Sequence, residues 1–403
     1  MTDGPRVLKP RCESDALVGK KDFRERLARW FRRHARDYPW RRTHDPYQVL
    51  VSEVMLQQTQ IATVLGKGYY TRFLESFPDV GSLAAADDAA LLKAWEGLGY
   101  YRRARMLRDT ARAVIERHDG SFPADLDALL ALPGVGRYTA GALRAFAFGL
   151  PAVLVDGNVS RVLARLLDFP DPVDGAAGQK QIWQWARELA DDNQPRVHHA
   201  ALMELGQTIC RPGLPDCLTC PVAAFCRTRE PAALPVKGRK VAITAVDEHA
   251  LWLRDAAGRV LMQHESGKRR TGLWKLPVRD AGEISHLPVV AEHVYAITRY
   301  RVRLRVHDGR APGAWVQPEA GEAWVDPDGV AGLAMAAPFR RWRICEIGCD
   351  EAGRLCFPPR GCKGCSGFPV SCSRRSPCRR VRWRRRPTPH RRGRRCASKC
   401  CNG

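Results

Sequence analysis

Long hydrophobic segments are missing from this sequence, and so is an apolar leader. No apolar run approaches the roughly 18 residues that a membrane-spanning helix requires. The first 20 residues lack the apolar core of a secretory signal. We therefore expect a soluble cytoplasmic protein without a membrane segment. The 403 residues are enough for two folded domains.

Acidic residues are scarce relative to basic ones. The chain has 66 Lys and Arg against 43 Asp and Glu, which gives a formal net charge of +23. Residues 340–403 alone hold 19 basic and 3 acidic residues, so most of the excess lies there. A moderately basic body suits a phosphate-backbone ligand, but many ordinary proteins are as basic. Charge alone therefore leaves the partner open.

Cysteine is rare before residue 340, with one clustered exception. Of 15 cysteines, ten lie in residues 340–403 and Cys12 stands alone. The other four have the spacing C-x6-C-x2-C-x5-C and are Cys210, Cys217, Cys220 and Cys226. In a cytoplasmic chain such a group indicates metal before disulfides, either a [4Fe–4S] cluster or a structural zinc. Zinc sites more often pair two CxxC knuckles, so the single knuckle here favours iron–sulfur.

The alternation of apolar and polar residues that is typical of a strand is missing from residues 21–229. Apolar residues there recur every three or four positions, which predicts an all-helical domain after an N-terminal extension over residues 1–20. Proline and glycine mark residues 230–241 as a linker. Short, alternating β-branched segments over residues 242–337 predict a second, α/β domain.

The segment 338–403 is rich in Arg, Cys and Pro and has no periodicity. We expect disorder there because little can be buried. A functional interpretation is a DNA-binding arm, or a second metal site at Cys362 and Cys365. A translated frameshift or non-native extension is the interpretation that this composition favours.

Residues 125–148 contain a helix, a tight turn and a second helix around the string LPGVGRYTAGA. Gly134 and Gly136 let the backbone approach a phosphate, and the free amides at the start of the second helix supply donors. The string therefore predicts a sequence-independent DNA clamp. A plain helical hairpin with a glycine turn is the alternative.

Two carboxylates stand out along the helical region. Glu53 lies off the apolar stripe of a helix that begins at Pro46, and a solvated surface glutamate is the alternative. Asp156 precedes Gly157 and a new helix, so an N-cap is its alternative. Position alone favours the ordinary interpretation of each.

Residues 21–228 resemble the endonuclease-III-like DNA glycosylase superfamily. The strings WEGLGYY, LPGVGRYTAGA and VDGNV and the four-cysteine loop occur in the order and spacing of that family. Within it, SEVMLQQTQ at residues 52–60 resembles the signature of adenine glycosylases. The resemblance implies an all-helical helix-hairpin-helix domain with a [4Fe–4S] loop at residues 210–226.

The same resemblance assigns catalytic roles. It implies that Glu53 is the general acid that protonates adenine and then helps water attack, while Asp156 stabilises the cationic sugar. Tyr138 and Asn158 would complete the polar shell. Bifunctional relatives carry a Lys where this chain has Tyr138, and use its amine as a Schiff-base nucleophile. We therefore expect water to be the nucleophile and lyase activity to be absent or weak.

Contacts to DNA and to the extruded base are also implied. Intercalating side chains fill the gap that a flipped base leaves. The candidates for wedges are Gln58, Thr59 and Tyr100, and those for the adenine pocket are Trp40, Arg41 and Leu56. Ala200 departs from the Gln or Glu that relatives often carry there, so one adenine contact is missing or is supplied from elsewhere.

Residues 242–337 weakly resemble the Nudix-like domain of adenine glycosylases, through TGLWKLP at residues 271–277 and a long strand after His293. The Glu-rich Nudix helix is absent, so no pyrophosphatase is expected. Where relatives read Phe-Ser-His, this chain has Thr298 and Arg299, of which Thr298 keeps a hydroxyl. We expect this turn to contact the oxidised guanine; an inert β-turn is the alternative.

Together these features imply a monomeric base-excision-repair glycosylase that acts on duplex DNA at the nucleoid. Its substrate would be adenine mispaired with 8-oxoguanine or guanine. One alternative is a relative that removes mismatched thymine or oxidised pyrimidine, against which Glu53 and the second domain argue. A non-catalytic damage binder is the other, against which the presence of both Glu53 and Asp156 argues.

Overall fold

The structure is a computed structural model that describes residues 19–238, 242–267, 270–297, 299–309 and 318–340. The N-terminal extension up to residue 18, Thr298, Cys362, Cys365 and the rest of the tail lie outside the described residues. All described residues belong to one compact unit. None of their helices is long and apolar enough to cross a membrane.

Residues 19–238 form thirteen α-helices and no β-strand, as the sequence predicts. They are α1 Lys20–His34, α2 Pro39–Arg42, α3 Pro46–Leu56, α4 Ile61–Gly66, α5 Tyr69–Ser76, α6 Val80–Ala85, α7 Asp88–Ala94, α8 Arg102–His118, α9 Leu126–Leu130, α10 Arg137–Ala142, α11 Gly157–Leu166, α12 Ala176–Leu189 and α13 Pro195–Thr208. Short 3-10 turns within the cysteine loop follow α13.

Aspartate caps begin several of these helices. The side chain of Asp45 accepts a hydrogen bond from the backbone N–H of Tyr47 at 2.9 Å, and Pro46 occupies the first position of α3. Asp125 caps α9 in the same way through the N–H of Ala128 at 3.0 Å. Each cap is worth about 1 kcal/mol. The start of α3, and with it the register of Glu53, is therefore encoded locally.

The predicted hairpin is formed by α9, a turn at residues 131–136, and α10. Gly134 has a φ of +76°, and a Cβ there would lie 3.0 Å from the side chain of Met106, so only glycine fits. Gly136 is the N-cap residue of α10 and supplies no side-chain cap. A Cβ at Gly136 would meet nothing within 4 Å among the described residues. No side chain caps the first backbone amides of α10, and the space beside Gly136 is open. An anion-binding helix start requires both features.

The helical region has two large hydrophobic cores, and a small cluster around Ala142 and Leu154 packs against Tyr138. One gathers α3, α5, α7 and α8 and includes Met55 and Trp95, both buried. The other gathers α1, α11, α12 and α13 and includes Phe23 and Leu163. Helix α3 belongs to the first core and α11 to the second, and residues of both line one cleft. The two carboxylates that the sequence singles out therefore come from different cores and line the same cleft.

The later residues form two sheets, which confirms the strands expected there. The strands are β1 Thr244–Trp252, β2 Val260–His264, β3 Trp274–Lys275, β4 Val278–Arg279, β5 Val289–Ile297, β6 Tyr300–Asp308 and β7 Glu322–Val325, and the short helices are α14 Ala281–Ile284, α15 Pro327–Val330 and α16 Ala337–Arg340. The first sheet has the order β4-β1-β6-β5, with β1 and β6 parallel, and the second the order β3-β2-β7.

The sheet region packs on α7 and α8. Met335 donates its N–H to Glu96 Oε1 at 3.2 Å and accepts from the hydroxyl of Tyr101 at 3.3 Å. Lys93 Nζ donates to the carbonyl of Ala331 at 2.8 Å. Apolar side chains of both regions share one core. The boundary at residues 230–241 between two separate domains stays a prediction.

Candidate functional site

Glu53 lies in the interior of the protein, near the end of α3. Only 7% of its surface is exposed, because α3 is buried on nearly every side. Burial raises the pKa of Glu53 to about 7, against a hydrogen bond from the Tyr138 hydroxyl that lowers it, and the charge of Asp156 adds to the rise. Glu53 therefore keeps a proton at a higher pH than an exposed glutamate does.

Asp156 is the N-cap of α11 and also faces the cleft that contains Glu53. Its Oδ1 accepts from the backbone N–H of Val159 at 2.7 Å, and its Oδ2 accepts from Asn158 Nδ2 at 2.8 Å. These two bonds fix the orientation of the Asp156 side chain at the start of α11. The capping role that the sequence offers as an alternative is thus compatible with a role in the cleft.

Asn158 links Asp156 to the rest of the second core. Its Oδ1 accepts from Arg161 Nη2 at 2.9 Å, and the same nitrogen donates to the carbonyl of Gly206 at 2.7 Å. Arg161 Nε donates to the carbonyl of Cys210 at 2.8 Å. The start of α11 is therefore tied to both α13 and the cysteine loop.

Tyr138 is the second residue of α10 and lies near both carboxylates. Burial and the charge of Glu53 raise its pKa well above the ordinary value, so its hydroxyl is a neutral donor. The hydroxyl lies close enough to Glu53 to lower the pKa of that carboxyl. The side chain at this position is a phenol and offers no amine.

Two cavities meet at Glu53. The inner one has a volume of about 370 Å³ and the outer cleft about 1010 Å³. Glu53, Leu56, Met203 and Gln207 are among the residues that line both. Tyr138, Asp156 and Asn158 line only the outer cleft, together with the turn at residues 57–60.

The predicted adenine-pocket residues all line the inner cavity. Trp40, Arg41, Leu56 and Ala200 surround it, and the indole of Trp40 is nearly buried. Ala200 contributes only a methyl group, as its identity dictates. The structure thus brings together residues that are 160 positions apart in the sequence.

Arg41 is held by a buried glutamate that no sequence motif indicated. Glu204 is fully buried, and its Oε2 lies 2.7 Å from Arg41 Nη2 and its Oε1 3.4 Å from Arg36 Nε. Arg41 also lies over the ring of Tyr38, at 4.7 Å. A glutamate inside an otherwise apolar stretch of α13 was the only signal, and the arginines resembled an ordinary basic helix end.

The predicted wedge residues occupy two turns with unusual backbones. Gln58 has a φ of +57° and Tyr100 a φ of +47°, in the left-handed region that non-glycine residues rarely adopt. Both side chains are exposed, Tyr100 by 47%. Thr59 follows Gln58 and is half-buried. Such exposed, strained positions are typical of functional turns.

Buried Arg103, which the sequence analysis did not single out, joins these two turns. It donates to the carbonyls of Val54 at 2.9 Å and Met55 at 3.1 Å, and also to that of Gln57. Its other terminal nitrogen donates to the carbonyls of Leu98 and Gly99, each at 3.2 Å. Burial lowers its pKa to about 10. Arg103 therefore fixes the end of α3 against the turn that carries Tyr100.

The four cysteines of the loop are unpaired thiols that are half-buried or exposed. Burial raises the pKa of Cys220 to about 11, and the other three cysteines lie close enough to contribute to that rise. Arg165 Nη1 lies 3.4 Å from Cys210 Sγ and donates to the carbonyl of Arg211 at 2.8 Å. Within the described ranges, no three His, Cys, Asp or Glu side chains are arranged to hold a single metal ion. Four thiols without carboxylate or imidazole nevertheless suit a cluster in which each sulfur binds a different iron.

The turn expected to read the opposite base is described only in part. Arg299 Nη2 donates to the hydroxyl of Tyr300 at 3.1 Å, and the guanidinium lies 5.2 Å from that ring. The carbonyl of Arg299 accepts from the N–H of Thr244 at 2.9 Å. Because Thr298 lies outside the described residues, its contact with an oxidised guanine stays a prediction.

The chain is similar in sequence to known DNA repair proteins. Residues 51–188 match the family described as the HhH-GPD superfamily base excision DNA repair protein. The chain is 35% identical over 261 residues to an adenine DNA glycosylase of Mycobacterium tuberculosis (strain CDC 1551 / Oshkosh), a match that covers 64% of this chain and 80% of that protein. It is 43% identical over 217 residues to the adenine DNA glycosylase of Homo sapiens, which covers 52% of this chain. That match spans only 39% of the human protein.

A solved structure gives a weaker likeness. The structure of a thermostable thymine-DNA glycosylase superposes with a TM-score of 0.46 at 30% sequence identity. The match covers 51% of this chain and 94% of that one.

Proposed function

The chain belongs to the adenine DNA glycosylase family, and from that premise we propose that it excises adenine from mispaired duplex DNA. The observation that carries the proposal is the position of Glu53. It is a buried carboxyl with a raised pKa, and it lies where a cavity meets a cleft that Asp156 also lines. An acid and an anion in different surroundings are what hydrolysis of an N-glycosidic bond requires.

The extruded adenine would occupy the inner cavity, and its sugar the outer cleft. The inner cavity is lined by apolar and aromatic side chains together with four arginines and other polar groups, and its volume of about 370 Å³ is in the range of ligand pockets. Protonated Glu53 would donate its proton to the base, because a neutral base leaves far more readily than an anion. Once ionised, Glu53 would accept a proton from the attacking water.

Asp156 would stabilise the positive sugar that remains. Its carboxylate accepts two hydrogen bonds that fix its direction. The Tyr138 hydroxyl would orient Glu53, and Asn158 would orient Asp156. Because Tyr138 supplies no amine, water is the nucleophile and the enzyme is monofunctional.

DNA would be held by backbone contacts and wedged open by side chains. Uncapped amides of α10 beside Gly136 would bind a phosphate, with Gly134 allowing the close turn. Gln58, Thr59 and Tyr100 would enter the base stack where adenine leaves it. The opposite base would be 8-oxoguanine or guanine, read by the turn that contains Thr298 and Arg299 in a Nudix-like domain.

The four cysteines Cys210, Cys217, Cys220 and Cys226 would hold a [4Fe–4S] cluster. When bound, such a cluster crosslinks its loop through four iron–sulfur bonds. Arg165 and Arg161 connect the loop to α11, whose first turn contains Asp156 and Asn158. The loop would therefore support the wall of the cleft.

A single-turnover assay tests the proposal. Three duplexes are compared, with adenine opposite 8-oxoguanine, adenine opposite guanine, and thymine opposite guanine. We expect excision of adenine from both of the first two and none of thymine. Excision of thymine, or no excision at all by iron-loaded protein, would contradict the assignment.

A further inference from the structure

Gln207 differs from the other polar side chains that line the inner cavity. Arg41 is paired with Glu204, and the hydroxyl of Ser52 donates to the carbonyl of Val49 at 2.7 Å. Arg196 donates to the carbonyl of Thr43 at 2.8 Å and to two other carbonyls. Among the described residues of this wall, Gln207 alone offers both a donor and an acceptor without a hydrogen bond to either.

The position of Gln207 is fixed by the helix that carries it. Ala200, Met203 and Gln207 follow one another at three and four residues, so they share a face of α13. Ala200 lines only the inner cavity, whereas Met203 and Gln207 also line the outer cleft. Gln207 therefore lies at the entrance between them, as does Glu53.

The neighbouring residue holds this part of α13 against the catalytic wall. A Cβ on Gly206 would come within 2.7 Å of Asn158 Cβ, so the two backbones are in close contact. The carbonyl of Gly206 accepts from Arg161 at 2.7 Å. A side chain at position 207 is thus displayed from a rigid element, which a recognition residue needs.

We propose that Gln207 recognises the extruded base through its carboxamide. The carbonyl oxygen would accept from the exocyclic amine of adenine, and the NH2 group would donate to an adjacent ring nitrogen. Glutamine and adenine have this complementarity of donor and acceptor. A 6-oxo purine would be disfavoured, because its carbonyl oxygen would face the carbonyl oxygen of Gln207. The inference rests on the proposed function, since it presumes that adenine enters this cavity.

The contact is tested by removing each partner in turn, the 6-amino group from the base and the carboxamide from Gln207. Excision is measured under single-turnover conditions for adenine and for purine, which lacks the 6-amino group, each opposite 8-oxoguanine. Gln207→Ala should slow excision of adenine about tenfold to a hundredfold, the usual effect of an unpaired buried polar group. It should slow excision of purine much less, so the ratio of the two rates should fall by the same factor.

The matched control is Gln184→Ala, an exposed glutamine on α12 that bonds to Glu188. It should leave both rates unchanged. Gln207→Glu, which keeps the acceptor and loses the donor, should lie between wild type and Gln207→Ala on adenine. Circular dichroism and DNA-binding measurements on each variant separate misfolding from lost recognition.

The outcomes distinguish this inference from the function on which it rests. Wild-type protein that fails to excise adenine would overturn the proposed function. Wild-type activity on adenine that Gln207→Ala retains in full would overturn the role of Gln207 alone. Equal losses on adenine and purine in a folded variant would also overturn it, since the amide would then not contact the amine.

Discussion

Glu53→Gln should gain stability relative to wild type as the pH rises from 5 to 8, while it abolishes excision. In the unfolded chain a glutamate titrates near its ordinary pKa of 4.5, whereas burial raises the pKa of native Glu53 to about 7. Between these values the unfolded state releases the proton and the native state keeps it. Stability therefore falls as pH rises through this window, and the loss is complete above about pH 7. The rise of the Glu53 pKa from 4.5 to about 7 corresponds to a loss of about 3 kcal/mol in the free energy of unfolding.

The measurement is urea unfolding, followed by circular dichroism, of wild type and Glu53→Gln at pH 5 and pH 8. The variant has no proton to lose, so its stability relative to wild type should rise by about 2 kcal/mol between the two pH values. Any cost of burying the amide is common to both conditions and cancels. The control is Glu25→Gln, the same change at an exposed position of α1, which should give no such difference.

The kinetic part of this prediction follows from the same proton. An amide cannot protonate adenine, and loss of general acid catalysis costs about 10²–10⁴ in rate or more. Wild-type excision should decline as pH rises through about 7, because the ionised form of Glu53 cannot donate. A variant with near-normal activity, or one whose relative stability does not change between pH 5 and pH 8, would refute the reasoning about Glu53.

Three further predictions concern other parts of the chain. Borohydride during turnover should trap little or no protein–DNA adduct, since Tyr138 has no amine; a stoichiometric adduct would refute the monofunctional mechanism. Purified protein should contain about four irons per chain, and Cys226→Ser should reduce that content in elemental analysis; zinc in place of iron would contradict the cluster. Removal of residues 340–403, which carry a net charge of +16, should weaken nonspecific DNA binding and flatten its salt dependence while leaving excision intact. Loss of folding on that truncation would show that the segment is structural.

The helical fold and the family could be predicted because their signals are local. Helix caps, glycine turns and apolar spacing each act within a few residues, and the characteristic strings encode them directly. The hairpin around Gly134 is an example, since its positive φ and its close approach to Met106 require glycine. For the second region, the sequence predicted strands of an α/β domain but not their order in the sheets. Their pairing, with β1 parallel to β6 across some 50 residues, depends on long-range contacts that no short pattern encodes.

The burial of Glu53 shows a second limit of sequence patterns. The sequence analysis assigned α3 an apolar stripe with Glu53 beside it, which left a solvated glutamate as the simpler interpretation. In the structure, every residue from Val49 to Met55 is buried, so the helix has no exposed face there. A helix that is apolar nearly all round is a core helix. That composition was visible in VLVSEVM, and a search for one stripe overlooked it.

Arg103 and Glu204 could not be recognised beforehand for a different reason. A charged residue in an amphipathic helix usually faces solvent, and the sequence does not reveal its partners. Arg103 becomes buried only because two turns, more than 40 residues apart, present their carbonyls to it. Glu204 is buried only because Arg36 and Arg41 approach it from another helix and the loop beside it.

The division of labour between the two carboxylates follows from the two cores that position them. Glu53 extends from the first core into apolar surroundings, where the neutral form is favoured and a proton is kept for the leaving base. Asp156 caps a helix of the second core, where a backbone N–H and the Asn158 amide donate to its carboxylate. The residue that caps α11 can therefore also serve as the anion beside the sugar, without a separate element to hold it. Because neither core contains both groups, any change that shifts α3 relative to α11 should alter catalysis before it alters the fold of either core.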